Sequence, residues 1–271
     1  MKKLLVLMKA LILVVSMAAC GQQVATDIDY ATSVEGAKIV AEAGSAGEEL
    51  ANTDAFFANA EFTPVDSMAK ALMEVASGTA DIAIVDYVTS IGSIGEGTDF
   101  ADLSVVEGKG FGEEEYGIAF RKGSDITPAV NAAIKELAEE GKLAEIAAKY
   151  KLDELIILDG AAFDDAVEEG DLAAIKEKGE LVIGITLFAP MNYYDENEEL
   201  IGFETEFATA VCEKLGVAPK FTEINWDTKE IELNAKSIDC IWNGMTITEE
   251  RAENMSISVP YMANKQVMVS K

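Results

Sequence analysis

Short apolar runs alternate with helical patterns along nearly the whole chain, and this alternation limits the fold more than any other feature of the sequence. Ala37–Ala41, Ile82–Val85, Tyr116–Phe120, Leu181–Ile185, Phe221–Ile224, Ile238–Trp242 and Gln266–Val269 read as strands. Between them, Met68, Leu72, Val75 and Ala76 mark one helical face that Gly78 stops. Val130, Ile134 and Leu137 mark another behind the Thr127-Pro128 start, and Phe203, Phe207, Val211 and Leu215 a third at i, i+4 spacing. Further helices are expected from Glu48 onward, over Lys142–Tyr150, around Ile231 and Leu233, and after Thr248. Buried strands joined by short helical crossovers predict mostly parallel sheets covered on both faces, hence an α/β fold. The stretch Asp159–Asp171 (DGAAFDDAVEEGD), rich in acids with two glycines, divides the pattern into two blocks. A chain of 271 residues, 49% of them hydrophobic, can bury a core in each.

Composition narrows the function. With 49 acidic against 21 basic residues the net charge is -28, which repels phosphate backbones and anionic membrane surfaces. The chain has no histidine, so imidazole acid–base chemistry, His-dependent nucleophiles and His-ligated zinc are unavailable. Neither a P-loop nor a dinucleotide fingerprint occurs, and Cys20, Cys212 and Cys240 lack metal-site spacing. No cofactor, metal or nucleic-acid partner is expected, and the protein is expected to be a monomer.

Met1–Cys20 (MKKLLVLMKALILVVSMAAC) has the layout of a lipoprotein signal. Lys2 and Lys3 precede an apolar run too short to span a bilayer, and small residues lead to Cys20, the expected lipidation site. Residues 1–19 would be removed and residues 20–33 would form a lipidated leash on the outer face of the cytoplasmic membrane. Cys212 and Cys240, on a helix and a strand pattern, read as buried thiols, although a bridge between them stays open.

The most informative run is Asp239–Arg251, DCIWNGMTITEER. A strand ends in Asn243-Gly244, Thr248 caps a helix, and Glu249 and Glu250 suit its first turn. Arg251 opposes the helix dipole there. Either it pairs with Glu249 or Glu250 at the surface, or it awaits a ligand carboxylate at the strand-to-helix junction.

On these residues the chain resembles the amino-acid-binding solute receptors of ABC importers, a two-lobe family of the type II periplasmic-binding-protein fold, the Venus flytrap. The likeness includes GITLFAPMNYYDENEELIGFETEFATAVCEKLG, then Asn225-Trp226-Asp227, then the ITEER run. It implies that Arg251 is the bidentate partner of a ligand α-carboxylate. Thr246 and the backbone of Asn243 and Gly244 would complete that subsite. Phe188 and Trp226 would sandwich the ligand, although both also read as core residues; Trp242 reads as core alone. From the other lobe, the turn Gly44-Ser45-Ala46-Gly47 would offer N–H groups, with backbone help only at Ala46. Asp86 would receive the ligand ammonium, unless it simply caps a helix over Tyr87–Ile91.

The halves stand in reverse order relative to the family, so the chain resembles a circular permutant. Residues 34–121 would form the lobe with the Gly-Ser turn. Residues 122–158 would be helices returning to the other lobe, 159–173 a linker joining the old termini, and 174–271 the lobe with the aromatic loop. One crossing, near Phe120–Asp125, would then join the lobes, Gln266–Val269 would pair within its own sheet, and Val34 and Lys271 would meet at the hinge.

The resemblance implies a lipid-anchored receptor, not an enzyme, that delivers a free amino acid to an importer permease. The loop Thr186–Pro190 lacks the acid that receptors for cationic amino acids carry before the aromatic, which points to a neutral ligand. Two alternatives share the fold: a sensor component that presents its ligand, and a prephenate- or arogenate-type dehydratase. The latter needs a protonated carboxylic acid in the cleft, a role for which Glu42 is placed.

Overall fold

The protein is described by a computed structural model for residues 29–158 and 170–271. The expected lipidation site Cys20, the signal and most of the acidic linker lie outside the described residues. Within them, no helix is long and apolar enough to cross a membrane.

The first unit begins with β1 (Lys38–Glu42), α1 (Ala46–Thr53), β2 (Glu61–Val65), α2 (Met68–Ser77), β3 (Ile82–Asp86) and α3 (Tyr87–Ser93). β4 (Ser104–Val105) and β5 (Glu113–Tyr116) follow. Local chemistry sets these boundaries. Ser67 caps α2 by accepting from Lys70 N at 3.1 Å, and Gly78, at φ 78°, ends it in the left-handed region that glycine enters without steric cost. The inward face of α2 is Met68, Ala71, Leu72 and Val75, all buried. Each large apolar side chain so buried contributes about 1.5–3 kcal/mol.

The second unit contains β6 (Ala119–Arg121), α4 (Ile126–Glu139), α5 (Lys142–Lys149), α6 (Asp171–Lys178), β7 (Glu180–Ile185), β8 (Tyr193–Tyr194) and β9 (Leu200–Ile201). It continues through α7 (Phe203–Leu215), β10 (Ala218–Glu223), α8 (Lys229–Asn234), β11 (Cys240–Ile241), α9 (Glu249–Asn254) and β12 (Met255–Ile257). Its sheet runs β10-β7-β11-β6-β12, with β7 parallel to both neighbours and β6 antiparallel to both of its own. Phe203 and Phe207 of α7 pack near the Tyr261 ring, and Phe207 meets Trp242 edge-on at 5.1 Å, so Trp242 is core as expected. Cys212 and Cys240 are buried free thiols.

The last strand, β13 (Met262–Ser270), departs from expectation. It lies in the first unit's sheet, ordered β2-β1-β3-β13-β4, where it runs antiparallel to β3 and also pairs with β5. The reason is the burial of β3: every residue from Ile82 to Asp86 is buried, so both edges need a partner, and β1 supplies only one. Among the described residues, two segments therefore cross between the sheets, Tyr116 to Ala119 and Ile257 to Met262, rather than one near Phe120–Asp125.

The chain ends move accordingly. Val269 pairs with Ala83, Lys271 Nζ donates to Ala76 O at 3.0 Å, and Lys38 N donates to Asp81 Oδ2 at 2.8 Å. Lys271 and the start of β1 thus share the end of the sheet opposite Glu42 and Asp86, away from the crossings. Val34, buried in one cluster with Met268, is on that outer rim and not at a hinge. Within the segment expected as a leash, Thr32 N closes a turn on Asp29 O at 2.9 Å.

Candidate functional site

The C-terminal ends of β1 and β3 face the loops that follow β7 and β11, so residues from both sheets converge between the units. At β1, Glu42 leads into a turn in which Gly44 (φ 72°) approaches the other unit so closely that a Cβ would lie 2.8 Å from Asp227 Cα. Ser45 then caps α1, its hydroxyl accepting from Glu48 N at 3.2 Å. Ala46 lines a cavity of about 250 Å³ with Glu49, Glu113, Glu114, Thr246 and Thr248 among its walls.

From the second unit, Thr248 caps α9 by accepting from Arg251 N at 3.2 Å, and this directs the arginine inward. Arg251 is 8% exposed; its Nη1 donates to Thr246 O at 2.7 Å and its Nη2 crosses to Gly44 O at 3.1 Å. The surface pairing with Glu249 or Glu250 is therefore not adopted. Burial lowers its pKa, against the opposing pull of Glu49, Asp86, Glu230 and Glu114.

Asp86 is at the N-cap position of α3 but makes no capping bond. Its carboxylate instead accepts from Asn264 Nδ2 at 3.0 Å and from Gln266 Nε2, both on β13. Burial, followed by the charge of Glu114, raises its pKa to about 7. Glu42 is pushed further, to about 8, by burial first and then by Asp86, so it is largely protonated at neutral pH.

The other expected positions divide. Thr246 Oγ1 reaches across to Glu114 Oε2 at 3.1 Å, and Phe188 packs against Gly244, where a Cβ would sit 3.1 Å from the ring. The Gly244 N–H expected for a ligand is taken by both oxygens of Glu204, each at 3.0 Å, and Glu204 also accepts from the Tyr261 hydroxyl. Asn243 ties the loop together through Thr186 N and O, both at 2.9 Å, and Asn192 Oδ1 at 2.7 Å. Trp226 follows its core reading, clustered with Val182, Ile238, Ile241 and Met245, whereas Phe188 falls in a separate cluster.

Several residues at this junction escaped the sequence reading. Glu114 Oε2 collects Thr246, Asn264 and Gln266, the last two at 3.0 Å. Lys229 is 5% exposed, donates to Gly44 O at 2.9 Å and Trp226 O at 3.1 Å, and holds its ammonium 4.9 Å from the centre of the Trp226 ring. A signal for it existed: Lys229 stands four residues before buried Leu233, on the inward side of a short helix. Glu114, Asn264 and Gln266 gave no such signal, because only the placement of β13 gathers them.

Among the described residues, two buried polar atoms at the junction lack a hydrogen-bond partner: Glu42 Oε1 and Gln266 Oε1. Unpaired groups of this kind are costly unless a ligand or water completes them.

Residues 181–271 match the family model of bacterial extracellular solute-binding proteins, family 3. The L-cystine-binding protein TcyJ of Escherichia coli (strain K12) is 32% identical over 114 residues, 41% of this chain and 43% of that protein. A probable amino-acid ABC transporter-binding protein of Haemophilus influenzae is 36% identical over 118 residues, 42% of this chain and 46% of its own length. Among solved structures, an ABC uptake transporter substrate binding protein from Streptococcus pneumoniae with bound histidine shares 35% identity, over 32% of this chain and 36% of that one, with a TM-score of 0.31. The chain spans under half the length of the curated relatives it matches.

Proposed function

We propose, from the match of residues 181–271 to the family model of bacterial extracellular solute-binding proteins, family 3, that this chain captures a free amino acid between its two units and delivers it to an ABC importer. The observation that carries the reading is Arg251, a buried guanidinium whose hydrogen bonds end on backbone carbonyls at the junction of the two sheets. Among the described residues no carboxylate hydrogen-bonds to this desolvated cation, although several acids act on it from a distance, and a ligand carboxylate is the partner its planar fork suits. Asp86, from the other unit, supplies the counter-charge for an ammonium, and Phe188 an apolar wall. Binding energy shared between two units favours their closed arrangement, which is the shape an importer would recognise.

The reading includes a circularly permuted order of the two halves, supported by the position of the matched family segment at the end of the chain and by its final strand completing the sheet of the preceding half. Cys20 would anchor the protein to the outer face of the cytoplasmic membrane. The relatives' names include binders of cystine and histidine, so the family model alone selects no side chain. A thermal-shift screen of the twenty standard amino acids, using the chain from Gly21 onward, tests the reading: a ligand of the native state raises the melting temperature, and silence across the panel overturns it.

A dehydratase is the second reading, favoured by one feature, the raised pKa of about 8 at buried Glu42, which provides the protonated acid such chemistry requires. Turnover of a cyclic dienyl carboxylic acid that is lost in Glu42→Gln would establish it over capture.

A further inference from the structure

Charges buried in folded proteins are normally matched by an opposite charge, because desolvating an isolated ion costs several kcal/mol. Lys229 departs from that pattern. It is 5% exposed, and its ammonium donates to Gly44 O and Trp226 O, both neutral. Arg251, 8% exposed, also donates to Gly44 O. Two buried cations of one unit therefore share a single carbonyl oxygen of the other, at 2.9 and 3.1 Å. Each also opposes the other: the Arg251 charge is the second cause, after burial, that lowers the Lys229 pKa to about 8.

The acid across the junction does not resolve the imbalance. Glu230, Glu42 and Asp227 pull on the Lys229 charge from nearby, but among the described residues none of them hydrogen-bonds to its ammonium; burial holds Glu42 up at about 8, and its Oε1 has no partner. Asp86 Oδ1 and Glu114 Oε2 accept from Asn264 and Gln266, and Glu114 Oε2 also from Thr246, so these bonds go to neutral side chains and not to either cation. What the pair of cations lacks is an anion with two acceptor oxygens. Since both nitrogens already reach one oxygen, the two oxygens of one carboxylate can reach both.

We propose that Lys229 is a ligand-binding residue that forms, with Arg251, a two-cation clamp on the ligand's carboxylate, the Gly44 carbonyl holding the place of one carboxylate oxygen in this structure. The inference rests on the amino-acid-capture reading and sharpens it. It also gives Trp226 a role other than ligand stacking. The indole face receives the Lys229 ammonium at 4.9 Å and so orients the clamp, leaving Phe188 as the aromatic wall for the ligand.

The test compares the parent chain with Lys229→Met and Lys229→Arg by calorimetry. The probes are those of the twenty standard amino acids that raise the parent's melting temperature, each paired with its α-carboxamide. Lys229→Met should weaken every such amino acid at least about tenfold, Lys229→Arg should stay within about threefold of the parent, and the carboxamides should bind the parent weakly with no further loss in Lys229→Met. The clamp is overturned if Lys229→Met binds the amino acid as the parent does, or if it loses amino acid and carboxamide by the same factor, as a purely structural lysine would. Lys229→Arg keeps the charge, so its failure to bind while its circular dichroism matches the parent's would equally count against the clamp. If the parent itself binds no amino acid, the capture reading falls and the clamp with it. If the parent binds and only the lysine variants are silent in effect, capture stands and the clamp alone fails.

Discussion

Removing the Arg251 guanidinium would leave the Thr246 and Gly44 carbonyls without their donor and a ligand carboxylate without its partner. Arg251→Ala should therefore abolish amino-acid binding, with a loss of about 2–5 kcal/mol for a charge-assisted pair in a desolvated site. Arg251→Lys, which keeps charge but not the fork, should also bind weakly. Calorimetry showing the alanine variant within about threefold of the parent would end the carboxylate assignment. At this scale the sequence was legible where chemistry conflicts with local rules. A cation in the first turn of a helix is such a conflict, and Arg251 proved to be buried between the units. Asp86 was legible as a strand-end acid, but its partners were not, because Asn264 and Gln266 come from a strand whose sheet no local pattern specifies. Gly244 misled for the opposite reason: its N–H looked free in the sequence, yet a carboxylate of the chain, Glu204, claims it.

Among the elements, apolar continuity made the interior strands readable. β3 and β7 are nearly all buried and carry uninterrupted apolar runs, and α2 and α7 carry faces at helical spacing. β2 escaped notice because it is an edge strand: EFTPV, with Pro64 and no fully buried residue, reads as a loop until β1 is placed beside it. α1 is marginal by itself, eight residues long, and depends on its cap and on the two acids in its first turn. Ser45→Ala should accordingly cost about 0.5–2 kcal/mol. Urea denaturation measures this directly, and an unchanged midpoint would mean that the Gly44–Gly47 turn is held by its contacts with the other unit and not by the cap. Ser45→Gly, which restores backbone access to water at the cap, should lose only a few tenths of a kcal/mol.

At the scale of the molecule, three buried carboxyls near the junction couple stability to pH. Glu42 is raised to about 8, and Asp86 and Glu204 to about 7, in each case chiefly by burial. Unfolded, such groups titrate near about 4, so between there and about 8 the native state holds more protons than the unfolded one, and stability falls as pH rises. Their contribution is fully present below the unfolded pKa and lost through the folded one. Lys229, lowered to about 8, acts in the opposite sense but only above that pH. Melting temperature should thus be higher near about pH 5 than near about pH 8, and Glu42→Gln should narrow the gap; a flat profile in the parent would show that these carboxyls stay ionised in the folded chain.

The same junction sets how the two units move. The two units are bridged by Arg251 and Lys229 at Gly44 O, by Thr246 at Glu114, and by Ser93 Oγ donating to Ala189 O at 3.3 Å. Beside that last contact, Gly92 of α3 faces the loop before β8 so closely that a Cβ would lie 2.5 Å from Pro190 N. The obstacle is backbone, which cannot rotate aside as a side chain could, and α3 and that loop belong to opposite units. Gly92→Leu should therefore act as a wedge. The glycine has no left-handed backbone requirement, so the free protein can keep its fold by holding the units apart. Two crossing segments, Tyr116 to Ala119 and Ile257 to Met262, permit such a displacement without breaking either sheet. The expected result is a variant that unfolds at nearly the parent's temperature without ligand, binds amino acid at least about tenfold more weakly, and shows no decrease in radius of gyration by solution scattering when ligand is added. A variant that closes and binds like the parent would show that α3 and the Pro190 loop slide past each other, and that closure is governed by the Gly44 contacts alone.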